Sequence, residues 1–328
     1  MLRSHTYFLA FALLGSSLAA CSDDSITQPR SSTESSAAQP VQGPALASAA
    51  TLGQWVTEAD MFSSGRSFLA TAMVPNAAGE SILYAMGGKE ADGSILGRVL
   101  AYNVATNKWM WKNDMPSSVA YPNTAAVING KIYITGGLVS PVSFNYGLYV
   151  YNPATGTWAT KKSPPNTSLE GVSGVINNKL YVATSCEQED CDPAMGYFFW
   201  RYDPATDQWA PLPSPPFFPR TGGTIGGRLY LASGNKVGIY DPASNQWTVK
   251  TTAVDVGSPY ASATQTAKLY VFGSATFVYD PTTNAWTKLA SPPKSMFGRA
   301  ASHVRLNNQV RIELVGGDRP GNNLAFIP

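Results

Sequence analysis

Histidine and cysteine are scarce in this chain, with 2 and 3 copies among 328 residues. Beyond the first twenty residues the single imidazole is His303, whereas a zinc site needs three or four nitrogen, sulfur or carboxylate ligands. No metal site is therefore expected, and no cofactor. Charge is sparse too, at 13% Asp, Glu, Lys and Arg with a net charge of +2. There is no basic run or aromatic–basic stripe of the kind that tracks phosphates, so nucleic acid is not an expected partner. The sequence holds no Gly-x-Ser-x-Gly elbow, phosphate loop or dinucleotide fingerprint. Apolar periodicity of the helical kind is absent at any useful length, which points to an all-β chain.

The apolar run from Tyr7 to Leu14 is too short to span a bilayer. Preceded by Arg3, it reads as the core of an export signal over residues 1–20. Leu18-Ala19-Ala20-Cys21 resembles a bacterial lipobox, which implies acylation of Cys21 and a protein held in the cell envelope by its lipid. Ser22 after that cysteine favours outer-membrane sorting by the same resemblance, with the periplasmic or surface side left open. Residues 21–50 are rich in Ser, Ala, Thr, Gln and Pro, and have no recurring large apolar residue. They cannot bury a core and read as a flexible tether.

From residue 51 to 328 the sequence repeats. A tyrosine stands seven residues before a tryptophan at Tyr102/Trp109, Tyr151/Trp158, Tyr202/Trp209, Tyr240/Trp247 and Tyr279/Trp286, at intervals of 38 to 51 residues. Between them lie Asn or Asp, usually Pro, and Thr or Ser, residues that turn a backbone. Each copy is thus strand, tight turn, strand, with the spacing of propeller blades. Apolar strands end in Gly87-Gly88, Gly136-Gly137 and Gly316-Gly317. The diglycine, the later Tyr and the Trp of an outermost strand resemble the kelch repeat. Trp55 has no tyrosine hairpin before it, while the segment from Ala300 to Ile327 has three strands and no terminal Trp. The ends therefore share a sixth blade, giving a six-bladed kelch β-propeller closed by an N-terminal outer strand that leaves no free sheet edge.

Cys186 and Cys191 flank Glu187-Gln188-Glu189-Asp190. In an exported protein a disulfide across this loop is the first reading; the acidic run reads as a solvated loop ahead of a calcium site. The kelch resemblance also brings in copper-radical oxidases like galactose oxidase, which need two histidine ligands, and His303 alone cannot meet that need. His303 reads as a packed or surface residue.

Aligning the six first strands of the blades places Arg66, Asn123, Glu170, Arg220, Tyr260 and Arg299 at the residue that opens the strand. In kelch propellers this position points at the mouth of the central channel, so the resemblance implies a ligand site there. Planar guanidiniums converging on one concavity suit a carboxylate, sulfate or phosphate. The plain alternative is that these arginines pair with Glu170 or cap loop carbonyls. Long loops at Lys89–Gly97, Leu138–Gly147 and Ser185–Tyr197 bring Phe144, Tyr146 and Tyr197 to the same face for stacking. The leading functional expectation is a lipid-anchored, non-catalytic binding module for a protein loop or an acidic carbohydrate. Six-bladed periplasmic kelch proteins also include a sialic-acid mutarotase. By that resemblance Glu170 with Arg220 or Arg299 would supply an acid–base group beside a carboxylate-binding arginine. A third expectation is a surface adhesin or assembly subunit.

Overall fold

The computed structural model describes residues 53–62, 65–123, 125–166, 169, 171–185, 196–306, 309–317 and 323–328. The expected signal, the tether, Cys21, Glu170, Cys186 and Cys191 lie outside the described residues. Among those residues there is no helix, and most of the strands fall into six four-stranded antiparallel sheets. Five of these blades are continuous in sequence, their first strands being Ala70–Pro75, Ala126–Ile128, Gly171–Ile176, Thr221–Ile225 and Ala261–Gln265. The sixth takes Arg299–Leu306, Gln309–Gly316 and Leu324–Ile327 from the C-terminal end and Gln54–Thr57 from the N-terminal side. Trp55 pairs with Phe326 in that join.

The repeated turn follows from its side chains. In each of the five tyrosine hairpins the Asn or Asp after the tyrosine accepts a bond from the backbone N–H two residues on. The pairs are Ala105 to Asn103, Ala154 to Asn152, Ala205 to Asp203, Ala243 to Asp241 and Thr282 to Asp280, at 2.9–3.1 Å. This is the Asx turn that short polar side chains favour. The turn closes on a left-handed residue, Asn107, Asp207, Asn245 or Asn284. Each of these accepts a hydrogen bond from its tyrosine hydroxyl at 2.6–2.8 Å. Blade two has Gly156 there instead, so Tyr151 has no side chain at that position to donate to.

The blades are sewn to one another by the tryptophans. The indole N–H of Trp109, Trp158, Trp209 and Trp247 donates to the carbonyl of Ala59, Asn113, Lys162 and Pro213 respectively, at 2.7–3.1 Å. Trp55 does the same to Ala290 at 3.0 Å. Each acceptor lies just past the outermost strand of the preceding blade. Trp286 is the exception, buried with no acceptor for its indole N–H. At that joint the Asn284 amide donates to the Thr251 carbonyl at 3.2 Å. Between neighbouring blades lie six apolar clusters, one for each joint. Burial from both sides is why the second and third strands are apolar on both faces.

Candidate functional site: the channel mouth

Cross-strand register puts the six blades on one scale. The ladders Met73–Leu83–Tyr102, Val127–Ile132–Tyr151, Val175–Leu180–Tyr202, Thr224–Leu229–Tyr240, Thr264–Leu269–Tyr279 and His303–Ile312–Phe326 are equivalent. Their first members all line one central cavity of about 490 Å³. Moving four residues upstream from each gives the opening residues Leu69, Asn123, Gly171, Arg220, Tyr260 and Arg299. Four of the residues expected from sequence, Asn123, Arg220, Tyr260 and Arg299, thus sit at equivalent positions. Two do not: Arg66 lies three residues before Leu69, and Glu170 one residue before Gly171.

Arg66 is corrected by the chain path as well as by register. Arg66–Ser67 forms a short strand of its own with Lys89–Glu90, and Phe68 then turns through a positive φ of 55°. The side chain is 1% exposed, and its guanidinium donates to the carbonyls of Gly87 and Arg98. Burial lowers its pKa to about 10, against the opposing pull of Glu90. Arg66 is a clamp on loop carbonyls, which was the plain alternative for these arginines. It is not among the residues that line the cavity.

Arg220 and Arg299 do line it, together with Tyr260. Arg299 is held by a bond from Nε to the Ser295 carbonyl at 2.7 Å. Its guanidinium lies against Gly317, where a Cβ would come within 3.4–3.5 Å of Nε, Cγ and Cζ. Those are ordinary contacts, but Gly317 has a φ of 112°, so the backbone there favours glycine. The Arg220 guanidinium sits 5.5 Å from the centre of the Phe218 ring, a cation–π distance. Asn123 is buried, and its Oδ1, turned toward Gly171, accepts no hydrogen bond. Among the described residues that line the cavity, Arg220 and Arg299 are the charged ones apart from His303.

The aromatic wall differs from the expected one. Phe68 stacks on Tyr121 with centroids 4.0 Å apart, Phe297 meets Phe68 edge-on at 5.0 Å, and Tyr260 meets Phe297 edge-on at 5.3 Å. This arc joins blades one, two, five and six along the rim, and Tyr260 and Phe297 keep 41% and 42% of their surface exposed. Phe144, Tyr146 and Tyr197 do not line the cavity; Tyr197 instead meets Phe218 edge-on at 6.1 Å. The signal missed in the sequence is an aromatic placed just ahead of the first strand in blades one, two and six. Below the rim the walls are mostly Ala, Gly, Ser and Thr, and His303 stands among them. No group of three or more metal-ligating side chains occurs among the described residues.

Comparison with known proteins places this architecture. The family model described as the Kelch motif matches residues 120–165, the third and fourth strands of blade two included. The fold is a six-bladed β-propeller whose second blade carries a kelch motif. Kelch-like protein 15 of Danio rerio is 26% identical over 226 residues, covering 59% of this chain and 35% of that protein. A kelch domain-containing protein of Sulfurisphaera tokodaii is 29% identical over 85 residues, covering 26% and 12%. The chain spans about a third or less of the length of the curated relatives it matches. The solved structure of YjhT superposes with a TM-score of 0.62 at 15% identity, covering 79% of this chain and 94% of that one. That likeness is one of fold alone. Within a propeller, the side chains offered at the channel mouth are therefore what bears on function.

Proposed function

We propose that this kelch propeller is an interaction module that takes an acidic protein loop at its channel mouth, held to the cell envelope by a lipid on Cys21. One observation carries the binding reading: Arg220, Arg299 and Tyr260 line a single cavity of about 490 Å³. A carboxylate entering there gains charge-assisted hydrogen bonds, and the aromatic rim gives its backbone flat apolar surface. Fixed walls of β-strand lower the ordering cost of the site itself. The test is fluorescence anisotropy with a capped, labelled pentapeptide of alternating glycine and glutamate, on wild type and Arg220→Ala. A charge-assisted contact is worth about 1.5–3 kcal/mol, so the variant should bind roughly ten- to a hundredfold more weakly. Equal affinity in the two proteins refutes the site. A labelled acidic oligosaccharide run beside the peptide decides between the two ligand classes, since tighter and Arg220-dependent sugar binding would replace the protein loop with a glycan.

A further inference from the structure

His303 is the one imidazole that lines the cavity. It lies four residues beyond Arg299 on the same inner strand, so both side chains fall on one face of that strand. It is exposed to the channel while its neighbours Ser302 and Val304 are buried. Four residues of extended chain rise about 13 Å, so Arg299 at the rim and His303 below it mark the top and the depth of one site. Among the described residues, the titratable groups lining that site besides His303 are Arg220, Arg299, Tyr121 and Tyr260, all at the upper level, and the exposed Arg305 follows His303 by two residues on the same face of the strand. The blade-five strand beside His303 presents Ala263, Thr264 and Gln265, and the blade-one strand presents Met73 and Val74; none of these titrates. Across its own blade it pairs with Ile312, while Arg311 and Glu313 stand opposite Val304 and Ser302, which alternate to the other face of the sheet.

We infer that His303 is the lower contact of the channel site, where it binds a second acidic group of an elongated ligand and makes that binding depend on pH. This rests on the proposed acidic-loop reading and adds to it the ligand's shape and its regulation. Desolvation lowers the His303 pKa below the ordinary histidine value. A carboxylate inserted beside it stabilises the imidazolium and raises the pKa in the complex. The bound state then holds more protons than the free state between those two pKa values. Affinity therefore grows as pH falls through that window and levels off below it. The arginines stay charged throughout, so they supply affinity without this pH dependence.

The test uses the full chain and the same labelled glycine–glutamate pentapeptide from pH 8 to pH 5.5, where the peptide carboxylates remain ionised. Wild type should bind about tenfold more tightly at the lower pH, the worth of one added charge-assisted contact. His303→Gln should bind as wild type does at pH 8 and show no gain on acidification. In proton NMR the His303 ring resonance, assigned by its loss in His303→Gln, should titrate at a higher pH when peptide is present. Binding that requires Arg220 but has the same pH profile in wild type and His303→Gln overturns the role of His303 and leaves the parent reading standing. Absence of peptide binding by wild type at every pH overturns both.

Discussion

Replacing Glu313 with glutamine tests how the ring is closed. Glu313 lies on the second strand of blade six, 1% exposed, with Oε1 3.2 Å from Nε of Arg311. The same arginine pairs with Glu58, which follows the N-terminal closing strand, and Glu58 accepts a hydrogen bond from the Tyr102 hydroxyl of blade one at 2.9 Å. Two carboxylates thus share one guanidinium at the joint between the chain ends and blade one. Burial outweighs the arginine's help and raises the Glu313 pKa from 4.5 to about 7, with Glu58 adding to the rise. At 1.36 kcal/mol per pH unit that displacement corresponds to about 3 kcal/mol. A carboxyl whose pKa is raised in the folded state favours folding while it is protonated there. Its contribution is therefore complete below the unfolded value near 4.5 and is lost as pH climbs through about 7. Urea unfolding of wild type and Glu313→Gln at intervals from pH 5 to pH 8 isolates this cluster, because His303 and the other titrating groups away from Glu58 and Arg311 cancel in the difference between the two proteins. Relative to wild type, the glutamine protein should gain stability steadily as pH rises, by up to about 3 kcal/mol at pH 8. A difference that stays constant with pH, or that shrinks as pH rises, refutes the reasoning.

The tryptophan staples make an uneven set. Trp109→Phe gives up an indole bond to Ala59 at 2.8 Å and should cost about 1–2 kcal/mol in denaturant unfolding beyond the loss of ring area. Trp286→Phe removes an indole N–H that has no acceptor and should cost less than Trp109→Phe; equal losses would mean that the bond is not what the staple contributes. Deleting residues 51–60 takes away the strand paired with Leu324–Ile327 and also Ala59, the acceptor of Trp109. It should lower the melting temperature by well over 10 °C or leave the protein insoluble, and an unchanged melting curve would show that the ring closes without that strand.

How far the sequence reaches is clearest at particular residues. The spacing of Tyr and Trp, the Asx turns and the diglycines are local: each depends on a few neighbours along the chain, so they could be read in order and counted into blades. The orphaned Trp55 at one end and the three-stranded remnant at the other supplied the closure by the same kind of count. Arg220, Tyr260 and Arg299 fall at the cavity because each directly precedes or opens the first strand of its blade. Arg66 was misplaced because a short extra strand and the left-handed Phe68 insert residues ahead of the first strand of blade one. Backbone detours of that kind leave no fixed spacing in the sequence. The tertiary structure alone decided the aromatic arc, since Tyr121, Phe68, Phe297 and Tyr260 come from four blades and meet only when the ring is closed. It alone set His303 into the channel and Glu313 beside Arg311, because those environments depend on packing between segments distant in the chain. Local turn chemistry fixes the number of blades; which side chains face the axis depends on register, and register is settled only when six sheets pack against one another.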